Sequence, residues 1–483
     1  MSSDICNFDR EEVIKLLRER VSPPLIGPIL LFLPEDRGCR RKAYKNGRCI
    51  FHAEEKDPLL FKKELDKELK EMEKHGNFNF TGFTFPNIDF SGKKFDYPTF
   101  FIAATFKEKV IFDSATFNRR VFFDGAIFHQ EAGFLGTKFQ QNASFRGTQF
   151  QKDAYFEGAL FKRVVTFWGA SVLGNAEFSG SVFRSSVWFN LAKFNGIADF
   201  MFSIFYGGAY FMDCSFKKYA DFSFSTFHKQ VFFKTSKYER GYLVFLSTIF
   251  KNPRITQIIG YPLSRISFMA TDIEGILLVP APVGNQEILD EIILKEIKQK
   301  RINDSGGEYS IIQLKEMLAP YITRETLQLE YKLVRKCLEE NRMFTDAADL
   351  FVKEMRLARE RLPKNKYFER LAHYVYEFFS RYGESIDRLI KLALSFIFLM
   401  PLPLLLLYNP GVHMLQQISP FGMLLKYLEN LEAVAAVFMQ IRSFKDFRFL
   451  ENAHVTIEIL IRIFAIIIFG NLFVAVRRRL ERR

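Results

Sequence analysis

Large apolar side chains recur through the first half of the chain at intervals that no helix can produce. Phe stands at 80, 85, 90, 95 and 100. From Phe106 the interval alternates between six and five, through Phe112, Phe117, Phe123, Phe128, Phe134, Phe139, Phe145, Phe150, Phe156 and Phe161. It lapses once, at Val172, and runs on to Phe233. A second column stands two residues ahead of each Phe and holds small or β-branched side chains: Ala104, Ala115, Ala126 and Thr137 in one phase, Val110, Val121, Ala132 and Ala143 in the other. A helical face returns every 3.6 residues and cannot follow this rhythm. A four-sided coil of about 22 residues can, if each side is a short strand and the polar residues between turn the corners. One inward Phe then fills each side and one small residue fits near each corner. Coils stack ~4.8 Å apart as parallel strands, and each leaves an apolar face that only the next coil buries, hence the long array.

This pattern resembles the pentapeptide-repeat family over residues 78–280. The resemblance implies a mainly β fold, a right-handed quadrilateral parallel β-helix. A shorter echo at Leu263, Phe268, Ile273 and Leu278 reads as a terminal coil behind an irregular insertion at 234–262. The Phe and small-residue columns are expected to be core and nothing else. Cys214 stands in the small column and reads as packing. Some members of this fold imitate nucleic acid with an acidic surface. Here residues 106–233 carry 14 Lys or Arg against 10 Asp or Glu. That is the wrong sign for a polyanion mimic, so no nucleic-acid role is expected.

Residues 1–77 read as an N-terminal cap. Five scattered cysteines make no disulfide framework. Three of them, Cys6, Cys39 and Cys49, join His52 in a C-x9-C-x2-H arrangement with one distant partner. Thiolates and imidazole are zinc's preferred ligands and four close a tetrahedron, so zinc is the cofactor these residues suit. The segment around CIFH also looks like the N-terminal region of some pentapeptide-repeat membrane proteins. The alternative is a cap with ordinary buried cysteines. A charged helix, about 59–75, is expected to cover the first coil. The segment MSSDICNFDREEV has no apolar run behind a basic start, so the N-terminal part is expected to stay in the cytoplasm.

Residues 285–385 read as a helical linker domain. Leu327, Tyr331, Val334 and Leu338 form one stripe, and Ala348, Phe351, Val352, Met355 and Leu357 a second, with Thr345 and Asp346 as N-caps. The pair is similar to a single tetratricopeptide-like hairpin, a generic helical unit. Residues 386–483 read as a transmembrane region with spans at about 389–408 and 455–476 and a short helix at 421–440. The stretch 392–408 holds no charge; Arg388 and Lys391 precede it and Pro401 and Pro403 are expected to kink it. The second span ends in RRRLERR, and Glu458 and Arg462 stand one turn apart, spaced to pair. Basic outer flanks predict a two-helix hairpin with both ends cytoplasmic.

The order of span, short helix, loop and span resembles two-transmembrane ion channels. Their potassium filter needs glycine-rich backbone carbonyls. The sequence IRSFKDFRF has no glycine and carries Arg442, Lys445, Asp446 and Arg448. A potassium filter is therefore ruled out. Net charge is +13, which suits an anionic membrane surface. No HExxH, GxGxxG, GxxxxGKS/T or GxSxG motif is present, and no enzyme is expected. Two readings stay open. One is a multi-pass cell-membrane protein with a cytoplasmic solenoid and a divergent channel-like hairpin. The other is a non-conducting, membrane-tethered scaffold for protein–protein interaction. Membrane lipid, further copies of the chain and an unnamed protein are the expected partners.

Overall fold

The computed structural model describes residues 5–33, 39, 41–236, 241–281, 287–298, 316–403, 420–440 and 455–481. It forms two compact units, Met1–Met343 and Phe344–Arg483.

The first unit is built on a four-sided parallel β-solenoid of about nine turns. Its four sheets hold ten, seven, nine and eight strands among the described residues, most of them two residues long. Strands pair with a 22-residue offset through the middle of the array, as in Ile127 with Gln149 and Phe128 with Phe150. The expected core columns point inward. Phe112, Phe117, Phe123, Phe128, Phe134, Phe139, Phe145, Phe150, Phe156 and Phe161 are all 0–1% exposed. Along one side the rings stack, as Phe139 on Phe161 at 4.7 Å; across a corner they meet edge-on, as Phe145 with Phe156 at 5.5 Å and 89°. Such pairs add ~0.5–1.5 kcal/mol each beyond burial. Where the small column holds a hydroxyl, it is satisfied: Thr137 donates to the Phe112 carbonyl at 2.7 Å, and Ser203 to that of Phe178 at 2.7 Å. Ala, Ser and Thr are therefore interchangeable there.

Two details of the expected register are corrected. Phe101, fully buried, fills the side that the spacing assigned to Phe100. Phe100 points out and stacks on Phe122 at 5.3 Å. The stretch 234–262 is also no insertion. Tyr242–Val244, Ile249–Phe250 and Thr256–Ile259 continue three sides of the coil, with offsets of 23 to 25 residues in place of 22. Phe245 carries the stack from Phe222 to Phe268. A slip of one residue hid it from a strict period.

Helix α3, Pro58–His75, covers the first coil as expected, burying Phe61, Leu65 and Met72. Asp57 caps its start and Gly76, in left-handed backbone, its end. Helices α1, Arg10–Arg20, and α2, Pro23–Leu30, run along one corner of the solenoid. Helices α4, Leu289–Lys298, and α5, Arg324–Glu340, close the other end. Leu289 and Ile293 pack with Tyr219, Tyr242 and Val244, and the Glu330 carboxylate accepts the Phe268 N–H at 2.8 Å.

The stripe Leu327, Tyr331, Val334 and Leu338 is buried as expected. Helix α5 belongs to the first unit, and α6, Phe344–Arg361, to the second. Thr345 and Asp346 lie inside the first turn of α6 and so cannot cap it. The residues it buries are Ala347, Leu350, Val352 and Glu354, not the full predicted stripe.

The second unit continues with α7, Tyr367–Ser380, α8, Ile386–Leu399, α9, Pro420–Phe438, and α10, Val455–Glu481. Leu389, Ala433, Val434, Val437, Phe438, Ile461, Ala465 and Ile468 form the core between α8, α9 and α10. Phe396 stacks on Phe464 at 4.1 Å. Helices stand at the places expected for the short helix, 421–440, and for the second span, 455–476. Ile457–Arg478, 22 residues, is long and apolar enough to cross a membrane, with 22% of it buried. It is the one such helix among the described residues. Helix α8 is 14 residues long, ~21 Å at 1.5 Å per residue against ~30 Å of hydrocarbon. It ends at Leu399, and helical structure returns at 401–403 after a break at Met400. The rest of the first expected span, 404–408, and the segment 441–454 lie outside the described residues.

Candidate metal centre

Four side chains distant in sequence converge under the N-terminal helices. Ile5 forms an isolated antiparallel bridge with Lys42, and the Cys6 N–H donates to the Arg41 carbonyl at 2.8 Å. The Cys39 N–H donates to the Phe8 carbonyl at 2.8 Å. Between Cys39 and Cys49 the chain reverses at a two-residue hairpin. Lys45 and Arg48 exchange backbone hydrogen bonds while Asn46 and Gly47 take left-handed backbone, φ 51° and 73°. Asn-Gly is the signature of this turn, and it explains how C-x9-C closes on itself; it was not among the expected elements. After Cys49 a tight turn, with the N–H groups of His52 and Ala53 on the Cys49 carbonyl, brings the imidazole back.

The ligand atoms of Cys6, Cys39, Cys49 and His52 all lie within 4.8 Å of one another, and each residue is buried. Cys39 Sγ and Cys49 Sγ are 3.7 Å apart. Two thiolates ~2.3 Å from zinc in a tetrahedron stand ~3.8 Å apart, and a thiolate and an imidazole nitrogen ~3.5 Å. Cys6 Sγ and Cys49 Sγ lie 3.5 and 3.3 Å from His52 Nδ1. All five cysteines are free thiols. The four residues therefore fit a zinc ion as a Cys3His set.

Their surroundings fit it too. His52 Nε2 stands 3.4 Å from the Thr81 carbonyl; a proton there leaves Nδ1 as the donor atom, the usual outer-shell arrangement. Phe8 stacks on the imidazole at 3.9 Å. Arg41 donates to Cys39 Sγ at 3.4 Å and is held by Glu68 at 2.6 Å. A Cys3His zinc site carries one net negative charge, and this guanidinium offsets it. The thiols pull on one another: hydrogen bonds from Cys39 and Cys49 draw Cys6 down, while Cys39 and Cys6 push Cys49 up. Burial holds His52 in its neutral, ligating form.

The other residues singled out by sequence also have defined places. Arg462 pairs with Glu458 at 2.9 Å and donates to Gln440 at 2.8 Å. Cys214 is buried in the small column.

Comparison with known proteins bears on the solenoid. Residues 123–171 and 167–215 match the family model of pentapeptide repeats in nine copies. This stretch is a pentapeptide-repeat array. The chain is also 29% identical over 249 residues to an uncharacterized protein of Methanocaldococcus jannaschii, covering 50% of each chain. It thus spans about half the length of that curated relative. No solved structure matches it.

Proposed function

We propose that this chain is a membrane-tethered scaffold with no chemistry of its own: a pentapeptide-repeat solenoid, closed at one end by a zinc-bound cap, held at the cytoplasmic face of a cell membrane. The observation that carries the reading is the filled interior. Inward rings from Phe80 to Phe233 are no more than 4% exposed, so the solenoid's outer faces are what it offers to a protein partner.

The tether rests on α10, which exposes Ile459, Leu460, Ile463, Ile466, Phe469 and Phe473. Lipid is the natural cover for such a face. Helices α8 and α10 run in opposite senses. Arg478 near the end of α10 donates to the Tyr382 carbonyl at 2.6 Å, just ahead of α8. Arg381, Arg388, Lys391, Arg477 and Arg478 gather at that end, which positive-inside assigns to the cytoplasm. Free thiols suit the same compartment.

The second reading, a channel-like oligomer, draws on α9, a short helix packed with both α8 and α10. One such hairpin cannot enclose a pore, so stoichiometry separates the two. The purified chain in detergent should be a monomer or dimer and pass no current in bilayers. A ring of four or more subunits that conducts would replace the scaffold with the channel. Release from membranes by alkaline carbonate would reject the tether.

A further inference from the structure

We propose that α7 lies in the membrane–water interface, its aromatic face set between anionic headgroups and acyl chains. The inference rests on the membrane reading of α10 and adds a second, peripheral contact to it.

The sequence of α7 is YFERLAHYVYEFFS. Tyr367, Phe368, Leu371, Tyr374, Val375 and Phe378 are 74%, 89%, 58%, 55%, 36% and 55% exposed. At 3.6 residues per turn these six side chains fall within an arc of roughly 120°. Their exposure is no packing failure, because another side of the helix is firmly held. Phe379 meets Phe464 of α10 at 5.4 Å, and the Ser380 hydroxyl stands 3.1 Å from Asn471 Oδ1. A third side carries Glu377, bound to Arg356 at 2.7 Å and to Arg359. The helix is thus fixed to the candidate span with its apolar stripe turned away from it.

Three features select a lipid surface as the occupant. Four of the six side chains are aromatic and two are tyrosines, whose apolar rings and polar tips favour the headgroup level. The stripe is continuous along the chain with exposed Ile390, Leu394 and Phe398 of α8, which begins soon after α7 ends. Finally, residues 356–370 bring six basic side chains, Arg356, Arg359, Arg361, Lys364, Lys366 and Arg370, against Glu360 and Glu369, and with Glu377 bound to Arg356 and Arg359 an excess of three positive charges remains. A basic segment next to an amphipathic helix is attracted by anionic headgroups.

The test uses the full chain in nanodiscs of phosphatidylcholine, with or without phosphatidylglycerol, containing lipids brominated at defined acyl depths. The native cysteines are buried, so a fluorophore can be placed at Phe368→Cys or Ile466→Cys. Quenching of the residue-466 label reports α10 alone. The proposal expects the residue-368 label to be quenched most by bromines nearest the headgroups, and more strongly when phosphatidylglycerol is present. Quenching at 466 without quenching at 368 overturns the proposal and leaves the tether standing. A residue-368 label shielded from aqueous iodide yet untouched by bromolipid puts a second copy of the chain on this face, and also overturns it. Loss of quenching at both positions rejects the membrane reading itself.

Discussion

The rings of Phe134 and Phe156 lie face to face, centroids 4.7 Å apart and planes 2° from parallel. Phe156 also stacks on Phe178 at 4.9 Å and meets Phe145 and Phe167 edge-on. Each ring is thus a plug shared by three coils. Phe156→Ala should cost about 3–5 kcal/mol, because neighbours clamped by ladder hydrogen bonds cannot collapse into the void. Lys152→Ala, on an exposed corner, should stay within about 0.5 kcal/mol. Urea unfolding of both variants checks this, and equal losses would refute the inward register.

The corner that α1 and α2 follow depends on glycine. Leu17, Val21 and Leu25 sit against Gly125, Gly147 and Gly169, where an added Cβ would come within 2.5, 2.7 and 2.4 Å of them. All three glycines have positive φ, 63°, 59° and 66°. Gly158 has the same backbone, φ 62°, with nothing within 4 Å. Gly158→Ala should therefore cost only the left-handed penalty, about 1–2 kcal/mol. Gly169→Ala should cost more, since it also displaces Leu25. In a Leu25→Ala background that excess should vanish, which a double-mutant cycle reads directly. Additive losses would show that α2 does not rest on this corner.

The solenoid was legible because its period is enforced coil by coil: one misplaced residue would turn an inward ring outward. The same strictness made reading fail where the fold relaxes, at Phe101 and Phe245, each displaced by one residue from a regular spacing. The metal set was legible from residue type, while the Asn46–Gly47 turn that closes it is a signal carried by two residues alone. The lateral path of α1 and α2 was not legible. It depends on contacts between residues far apart in the chain, and the corner glycines look the same whether they are covered or open. The packing of α5 on the last solenoid coil was not legible, because an amphipathic stripe names no partner.

Glu177 faces outward on a side where its ladder neighbours are Tyr155 and Asp199, followed by Asp221. Burial, then Asp199, Glu157 and Asp153, push its carboxyl from 4.5 up to about 7. Between those values the folded chain holds a proton that the unfolded chain has released, so stability falls as pH rises through this window. Glu177→Gln removes the penalty. The variant should unfold at higher urea than the parent at pH ~8, and the gap should close by pH ~4. A gap independent of pH would mean that Glu177 is not the titrating group.

The Cys3His geometry predicts about one zinc per chain. Cys49→Ser should abolish it, because Cys49 Sγ faces both Cys39 Sγ and His52 Nδ1. Chelation should loosen residues 5–53 first, whose described part has little regular structure beyond α1 and α2, while amides of the Phe-lined coils stay protected from hydrogen exchange. Metal-free protein with unchanged exchange in this segment would remove zinc from the cap.

Topology follows from where charge collects in the second unit. At the end shared by the start of α8 and the close of α10, Arg478 binds the Tyr382 carbonyl and stands 3.2 Å from Glu384, and Arg381, Arg388 and Lys391 flank it. At the opposite end Arg462 is paired with Glu458 and donates to Gln440, and the sequence between α8 and α10 balances Lys426, Arg442, Lys445 and Arg448 against Glu429, Glu432, Asp446 and Glu451. The first end carries a cluster of cations in excess of its acidic residues, whereas the cations of the second are matched by carboxylates, so the first is the costlier to move across a bilayer. Residues 1–385 and the terminal arginines should therefore face the cytoplasm and α9 the outside. Glu429→Cys, exposed on α9, should react with an impermeant maleimide in intact cells. Lys364→Cys, exposed between α6 and α7, should react only after permeabilisation. Both positions reacting from the cytoplasmic side alone would mean that α8 and α9 do not cross, leaving α10 as the one span and removing the ground for any channel-like arrangement.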